Sequence, residues 1–230
     1  MLEINKHRSI LIQILKDIYT DPSIGPLLGF KGGTASYFFY NLPRFSVDLD
    51  FDLLDLQKIG FIYKRIKEII SKYGKVQKSY NKRYTIFLLL SHTTDHQNIK
   101  IEISKRNFGS EYEILNYLGI SMLIMKKQDL FAHKLVALLE RTGIANRDLF
   151  DIWFFLKENW DINEKIVQKR TGADLKSHIS NCLDFVGKVN NRNILSGIGE
   201  LLNPKMKAWV KNKLKDELMF QLKLRYELDK

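Results

Sequence analysis

Asp48 and Asp50 stand two residues apart in the apolar run Val47-Asp48-Leu49-Asp50-Phe51. This pattern restricts the fold sharply. On a β-strand, side chains at i and i+2 point to one face, so both carboxylates project together while Val47, Leu49 and Phe51 face a core. Two adjacent carboxylates repel each other unless a cation lies between them. Oxygen-only ligands at this spacing suit Mg²⁺, which keeps several waters and also binds substrate phosphates. The strand therefore belongs at a sheet edge or strand end that faces a site.

About fifteen residues upstream, Lys31-Gly32-Gly33-Thr34-Ala35 opens an expected helix. Glycines let a backbone approach phosphates closely, and a helix start offers free N–H groups. Gly-Gly alone reads as a turn, and Asp-x-Asp alone as a solvated strand end. One strand–turn–helix–strand unit would carry both to the same place, where they read as a nucleotide–metal site. This string resembles the signature of the DNA polymerase β-like nucleotidyltransferases. More narrowly, GGTA followed by LPRFSVDLDF resembles the AbiEii/AbiGii toxin family of type IV toxin–antitoxin and abortive-infection systems. The resemblance spans roughly residues 28–155. It implies that Gly32, Gly33 and Thr34 cradle phosphates, with Lys31 and Ser46 beside them.

The bulk composition is compatible with that reading. The 230 residues suffice for one large domain or two small ones. A net charge of +11 favours a polyanionic partner such as nucleic acid. Cys182 is the single cysteine, which excludes an intramolecular disulfide and a cysteine metal cluster and fits a reducing cytoplasm. Charges interrupt the apolar N-terminal segment, so it reads as neither signal peptide nor membrane span. With no H-x-x-x-H pair, a zinc site is not expected. No GxxxxGK[ST], G-x-S-x-G or kinase loop set occurs, which removes P-loop, α/β-hydrolase and kinase chemistry.

Along the chain, apolar spacing predicts helices over 4–19, 34–41 and 57–72. Strands are expected over 47–53, 75–80, 84–90 and 98–104, with a further extended stretch at 111–125 containing Gly119. From residue 127 the pattern becomes helical, over 128–141, 147–158, 162–170, 174–190 and 204–228. The expected organisation is an α+β nucleotidyltransferase core at 1–126, with a mixed sheet and helices. A C-terminal helical bundle follows at 127–230 and contributes to the active-site cleft.

Lys100-Ile101-Glu102-Ile103-Ser104 alternates polar and apolar residues, which places Glu102 on one strand face. A third carboxylate can complete a metal cage and take the proton from an attacking hydroxyl. Glu102 fits that role if its strand lies beside Asp48 and Asp50, whereas Asp95 and Glu111 fall in expected loops. In the helical half, Lys134 and Asp148 match the lysine and the Arg-Asp-x-x-Asp-like helix start of the AbiEii-type family, with Arg147 and Asp151 beside them. Lys134 would neutralise the departing pyrophosphate, and Asp148 would hold Lys134 or the nucleotide. A buried inter-helix ion pair is the plainer reading of the same residues. His133 reads as a surface or positioning residue, and Trp153, Phe154 and Phe155 as core.

The combined expectation is a Mg²⁺-dependent nucleotidyltransferase. Two ions, with Mn²⁺ as a substitute, would be held by Asp48, Asp50 and Glu102. The chain would move an NMP from an NTP to an acceptor hydroxyl, and the resemblance implies tRNA as the leading acceptor. The resemblance implies a cytoplasmic toxin with a separately encoded antitoxin and no membrane partner. A protein or small-molecule acceptor, and a non-catalytic nucleic-acid-binding module, are the alternatives.

Overall fold

The computed structural model describes residues 3–92, 98–143 and 145–228, and Asp95 lies outside them. The chain divides into two compact units: residues 1–107 with 111–125, and residues 108–110 with 126–230. The short segment Phe108–Ser110 groups with the second unit.

The first unit holds α1 (Ile4–Tyr19), α2 (Gly32–Phe39), α3 (Ile59–Ser71) and the strands found among the described residues: β1 (Leu28–Lys31), β2 (Leu49–Leu53), β3 (Lys75–Asn81), β4 (Thr85–Ser91), β5 (Asn98–Ser104), β6 (Tyr112–Tyr117) and β7 (Ile120–Met125). They form one sheet in the order β3-β4-β5-β2-β1-β7-β6. The pairs β2–β5 and β1–β7 are parallel and the remaining pairs antiparallel. Strict alternation in β4 and β5 explains their placement. Ile86, Leu88, Leu90, Ile99, Ile101 and Ile103 are fully buried on one face, while the intervening residues are half-exposed on the other. A one-residue slip would expose all six aliphatic side chains. The amphipathic α3 buries Ile62, Ile66, Ile69 and Ile70 and packs on β3 and β4.

The extended stretch expected at 111–125 is two strands rather than one. Leu118 and Gly119 turn the chain at φ 51° and 79°. Positive φ at both central residues is the two-residue hairpin geometry whose twist matches its strands. Asn116 Oδ1 accepts from the Gly119 N–H at 3.1 Å. Leucine in a left-handed conformation is uncommon, so the first half of this turn carries no sequence signal.

The second unit holds α4 (Lys127–Glu140), α5 (Asn146–Lys157), α6 (Glu164–Thr171), α7 (Leu175–Gly187) and α8 (Pro204–Leu228). Its core joins many aliphatic side chains to an aromatic cluster: Phe155 stacks on Trp160 with centroids 4.1 Å apart and lies 5.5 Å from Phe131. Asp174 caps α7 by accepting from the Ser177 N–H at 2.7 Å, an interaction worth about 1 kcal/mol. Lys215, one of the basic residues of α8, donates to the Gly187 and Val189 carbonyls at 2.8 and 2.7 Å, so it serves the C-terminal end of α7. Cys182 is fully buried, and burial pushes its thiol up to about 12. No helix among the described residues is long and apolar enough to cross a membrane.

Burial also lowers the pKa of His178, whose Nε2–H donates to the Leu135 carbonyl at 3.2 Å. His7 and His92 are lowered for the same leading reason. A depressed histidine is neutral in the fold but takes a proton in the unfolded chain near 6.5. Stability is therefore complete above pH 6.5 and falls as the pH drops through 6.5 toward the folded-state values. The urea midpoint should be lower at pH 5.5 than at pH 7.5, and replacing His178 with Gln should flatten that dependence.

Candidate active site

Asp50 sits at the middle of the sheet. Its Cα partners are Lys31 on β1 and Glu102 on β5. Residues paired in register share a sheet face, so Asp50 and Glu102 project together. Asp48 lies one residue before β2 and takes the same face by the period of two. Three carboxylates from two distant stretches of sequence therefore stand near one another on one sheet face.

The glycines fix the neighbouring wall. Gly32 starts α2 at φ +80°, and a Cβ there would lie 2.5 Å from Asp50 Oδ2. Only glycine allows both the left-handed turn and this approach. A Cβ on Gly33 would meet Arg44 Nη2 at 2.7 Å and Ser46 Oγ at 2.9 Å. The loop after α2 thus folds back over the first turn of that helix, bringing a buried guanidinium and a hydroxyl against it. Arg44 also donates to the Phe45 carbonyl at 3.0 Å. Thr34 is fully buried and its hydroxyl donates to the Asp48 carbonyl, so it anchors the acidic strand to the glycine-led helix. His7 does the same from α1, its Nε2–H donating to the Val47 carbonyl at 3.0 Å. His92 Nε2 approaches His7 Nδ1 at 3.2 Å, which makes Nδ1 the acceptor and His7 the neutral Nε2–H tautomer.

Lys31, expected to face phosphate, is held within the fold. Its ammonium pairs with Asp52 Oδ1 at 2.6 Å, and Asp52 Oδ2 accepts from the Tyr112 hydroxyl at 2.7 Å. Lys100, which sequence reasoning passed over, takes the central position instead. Its Nζ lies 3.3 Å from Glu102 Oε2 and 3.8 Å from Asp48 Oδ2. Burial alone would lower its pKa, but the negative charges of Asp50, Asp48 and Glu102 outweigh that and raise it. The signal was present in the sequence, since Lys100 precedes Glu102 by two on the same strand face.

Among the described residues, no three His, Cys, Asp or Glu side chains converge as a ready-made metal cage. Asp48, Asp50 and Glu102 nonetheless fit a hard divalent cation in donor chemistry and stand on one sheet face, and the Lys100 ammonium stands between two of them as a cation does. If a divalent ion competes with that ammonium, Lys100→Gln should bind Mg²⁺ more tightly. A larger Mg²⁺-dependent rise in melting temperature than in wild type is the expected reading.

The second cluster lies wholly in the helical unit. Lys134 Nζ on α4 bridges Asp148 Oδ1 at 2.9 Å and Asp151 Oδ2 at 3.0 Å on α5. Arg141 Nε closes on Asp148 Oδ2 at 2.7 Å. Asp151 is fully buried and Asp148 nearly so, while the Lys134 side chain keeps 16% of its surface exposed. The Arg147 side chain is half-buried at the start of α5. His133, one residue before Lys134, has a separate role. Arg170 Nη1 donates to its Nδ1 at 2.9 Å, leaving Nε2–H to donate to Ser110 Oγ at 2.7 Å. Phe108 lies over the same guanidinium at 5.2 Å, which explains why Phe108–Ser110 belongs to this unit.

A mixed sheet with acidic residues on adjacent central strands, and a glycine-led helix closing on them, defines a nucleotidyltransferase fold. The solved structures agree. A candidate nucleotidyltransferase of H. pylori is similar over 99% of this chain and 97% of its own, with a TM-score of 0.63 and 22% identity. JHP933 from Helicobacter pylori is similar over 99% and 97%, with a TM-score of 0.56 and 21% identity. The antibiotic-resistance factor ANT(2'')-Ia covers 81% of this chain and 100% of its own, with a TM-score of 0.51 and 10% identity. No curated protein matches the chain significantly in sequence. The family described as nucleotidyl transferase AbiEii toxin, type IV TA system, matches residues 13–219. The chain belongs to that family.

Proposed function

We propose that the protein transfers a nucleoside monophosphate from an NTP to a hydroxyl of an RNA acceptor, with tRNA the leading choice. The observation that carries this reading is the juxtaposition of Gly32, Asp50 and Glu102: a glycine-led helix start packed against one of two carboxylates aligned across neighbouring strands. Amides at the start of α2, with Arg44 and Ser46 beside Gly33, hold the triphosphate. Glu102 takes the proton of the acceptor hydroxyl, whose oxygen attacks the α-phosphorus. The bond from that phosphorus to the α–β bridging oxygen breaks, and pyrophosphate leaves. Mg²⁺ held by Asp48, Asp50 and Glu102 would supply charge neutralisation at the triphosphate and acidify the acceptor hydroxyl. Lys134, oriented by Asp148 and Asp151, is the cation proposed for the departing pyrophosphate, with Arg147 as a further nucleotide contact.

A net charge of +11 supports a polyanionic acceptor over a small neutral one. As a member of a type IV toxin family, the protein would act in the cytoplasm against its own cell and be opposed by a separately encoded antitoxin. Incubating it with each labelled NTP, Mg²⁺ and either total RNA or total protein tests the reading directly. Label is expected in RNA; label in protein alone would replace the acceptor, and no label from any NTP would remove the activity.

A further inference from the structure

The face that carries the carboxylates continues sideways. Register runs Asp50–Glu102–Phe87–Tyr80 across β2, β5, β4 and β3. Registered residues share a face, so these two rings lie on the side of Asp50 and Glu102. Two strand spacings put the Tyr80 backbone about 10 Å from that of Glu102. Tyr80 and Phe87 stack with centroids 4.8 Å apart and planes 7° from parallel. Tyr80 stays 36% exposed on the edge strand, and Tyr84, at the hairpin tip, 48% exposed.

Cations surround both tyrosines. Lys82 Nζ lies 4.7 Å from the Tyr80 ring centroid. Arg83 and Arg106 stand 5.0 and 5.2 Å from that of Tyr84. Lys105 donates to Asn81 Oδ1 and to the Lys82 carbonyl, tying the hairpin tip to the end of β5. Lys78 pairs with Leu89 and Leu89 with Lys100, giving a second row parallel to the first. From Ile69 to His92 the chain contains no acidic residue.

Exposed aromatic rings beside uncompensated charge have little value for packing, because the aliphatic core occupies the other face of these strands. An apolar protein partner would leave the lysines and arginines unpaired and desolvated. A single-stranded nucleic acid satisfies both halves, since bases stack on exposed rings and phosphates meet the cations. A duplex hides its base faces and uses the cations alone. We propose that the β3–β4 hairpin binds the single-stranded 3′ end of the acceptor RNA. Tyr80 and Tyr84 are its stacking platforms, Lys78, Lys82, Arg83 and Arg106 its phosphate contacts, and the strand row leads the terminal hydroxyl toward Glu102 and Asp50. This inference rests on the RNA-acceptor reading above and adds where the acceptor lies.

The test measures binding apart from transfer. Fluorescence anisotropy follows a 5′-labelled single-stranded RNA of mixed sequence titrated with the full chain, in EDTA and without NTP. The double variant Tyr80→Ala/Tyr84→Ala should raise Kd about 30-fold or more, and Tyr80→Trp/Tyr84→Trp should keep wild-type binding. Lys78→Ala should lower the slope of log K against log salt by about 0.7. The proposal is overturned if the double alanine variant binds within about twofold of wild type, or if blunt RNA duplex binds as tightly as the single strand. Should wild type still label RNA in that event, the acceptor reading stands and only the platform falls. If wild type neither binds nor labels RNA, both fall together.

Discussion

Asp50→Ala should abolish nucleotide transfer while leaving the fold at least as stable as wild type. Asp50 is paired with Glu102 across β2 and β5 and sits against the Gly32 backbone. On the proposed reading, its removal takes away a cation ligand and reshapes the wall beside the Gly32 turn. A drop of about 10³-fold or more in kcat/KM is expected, at or beyond the upper end for one electrostatic contact at developing charge. Stability should move the other way. Asp48 and Glu102 keep Lys100 between them, and one of three crowded like charges is gone. The melting temperature without metal should be unchanged or higher, and its rise with Mg²⁺ should shrink. Full transfer activity in this variant would sink the proposed site.

Lys134→Ala carries the second large effect, and the structure splits it into two measurements. If Lys134 meets the departing pyrophosphate, its charge acts mainly in the transition state, so kcat should fall more than KM rises. The expected loss is about 10²–10³-fold, or about 2.7–4 kcal/mol. The same change strips Asp151 and Asp148 of their shared ammonium, although Asp148 keeps Arg141. Breaking a buried pair by removing one partner costs about 3–5 kcal/mol, so the variant should also melt earlier. An ion pair that only holds α4 to α5 would lower stability yet leave turnover per folded molecule unchanged. Measuring kcat on the folded fraction, at a temperature where both proteins are folded, separates the two. Lys134→Arg should restore much of the stability and only part of the turnover, because its planar fork differs in reach from an ammonium.

Local chemistry made much of this molecule readable. The period-two alternation of β4 and β5 and the apolar stripe of α1 fix their own elements. The pair Asp48–Asp50 declared a shared face before any strand was paired. What escaped was long-range. Lys31 matched a phosphate-binding motif, yet Asp52 four residues after Asp48 takes its ammonium, and sequence spacing does not say which carboxylate an amine will reach. Thr34 was expected at phosphate, whereas its hydroxyl reaches the Asp48 carbonyl. Lys100 carries no motif of its own, although three neighbouring carboxylates require a positive charge. The hairpin at Leu118–Gly119 was hidden by a leucine in a conformation that leucine rarely adopts.

The path of the chain between β5 and β6 has a consequence for proteolysis. Residues 1–107 and 111–125 share one unit, while 108–110 and 126–230 share the other, so no single cut releases either half whole. A nick after residue 107 would leave β1 without the segment that supplies its parallel neighbour β7. A nick at 126 would leave His133 and Arg170 without Ser110 and Phe108. Neither piece, once separated, would carry a full set of its own contacts, so limited proteolysis should give a nicked but associated chain or two incomplete pieces, and not a self-sufficient half.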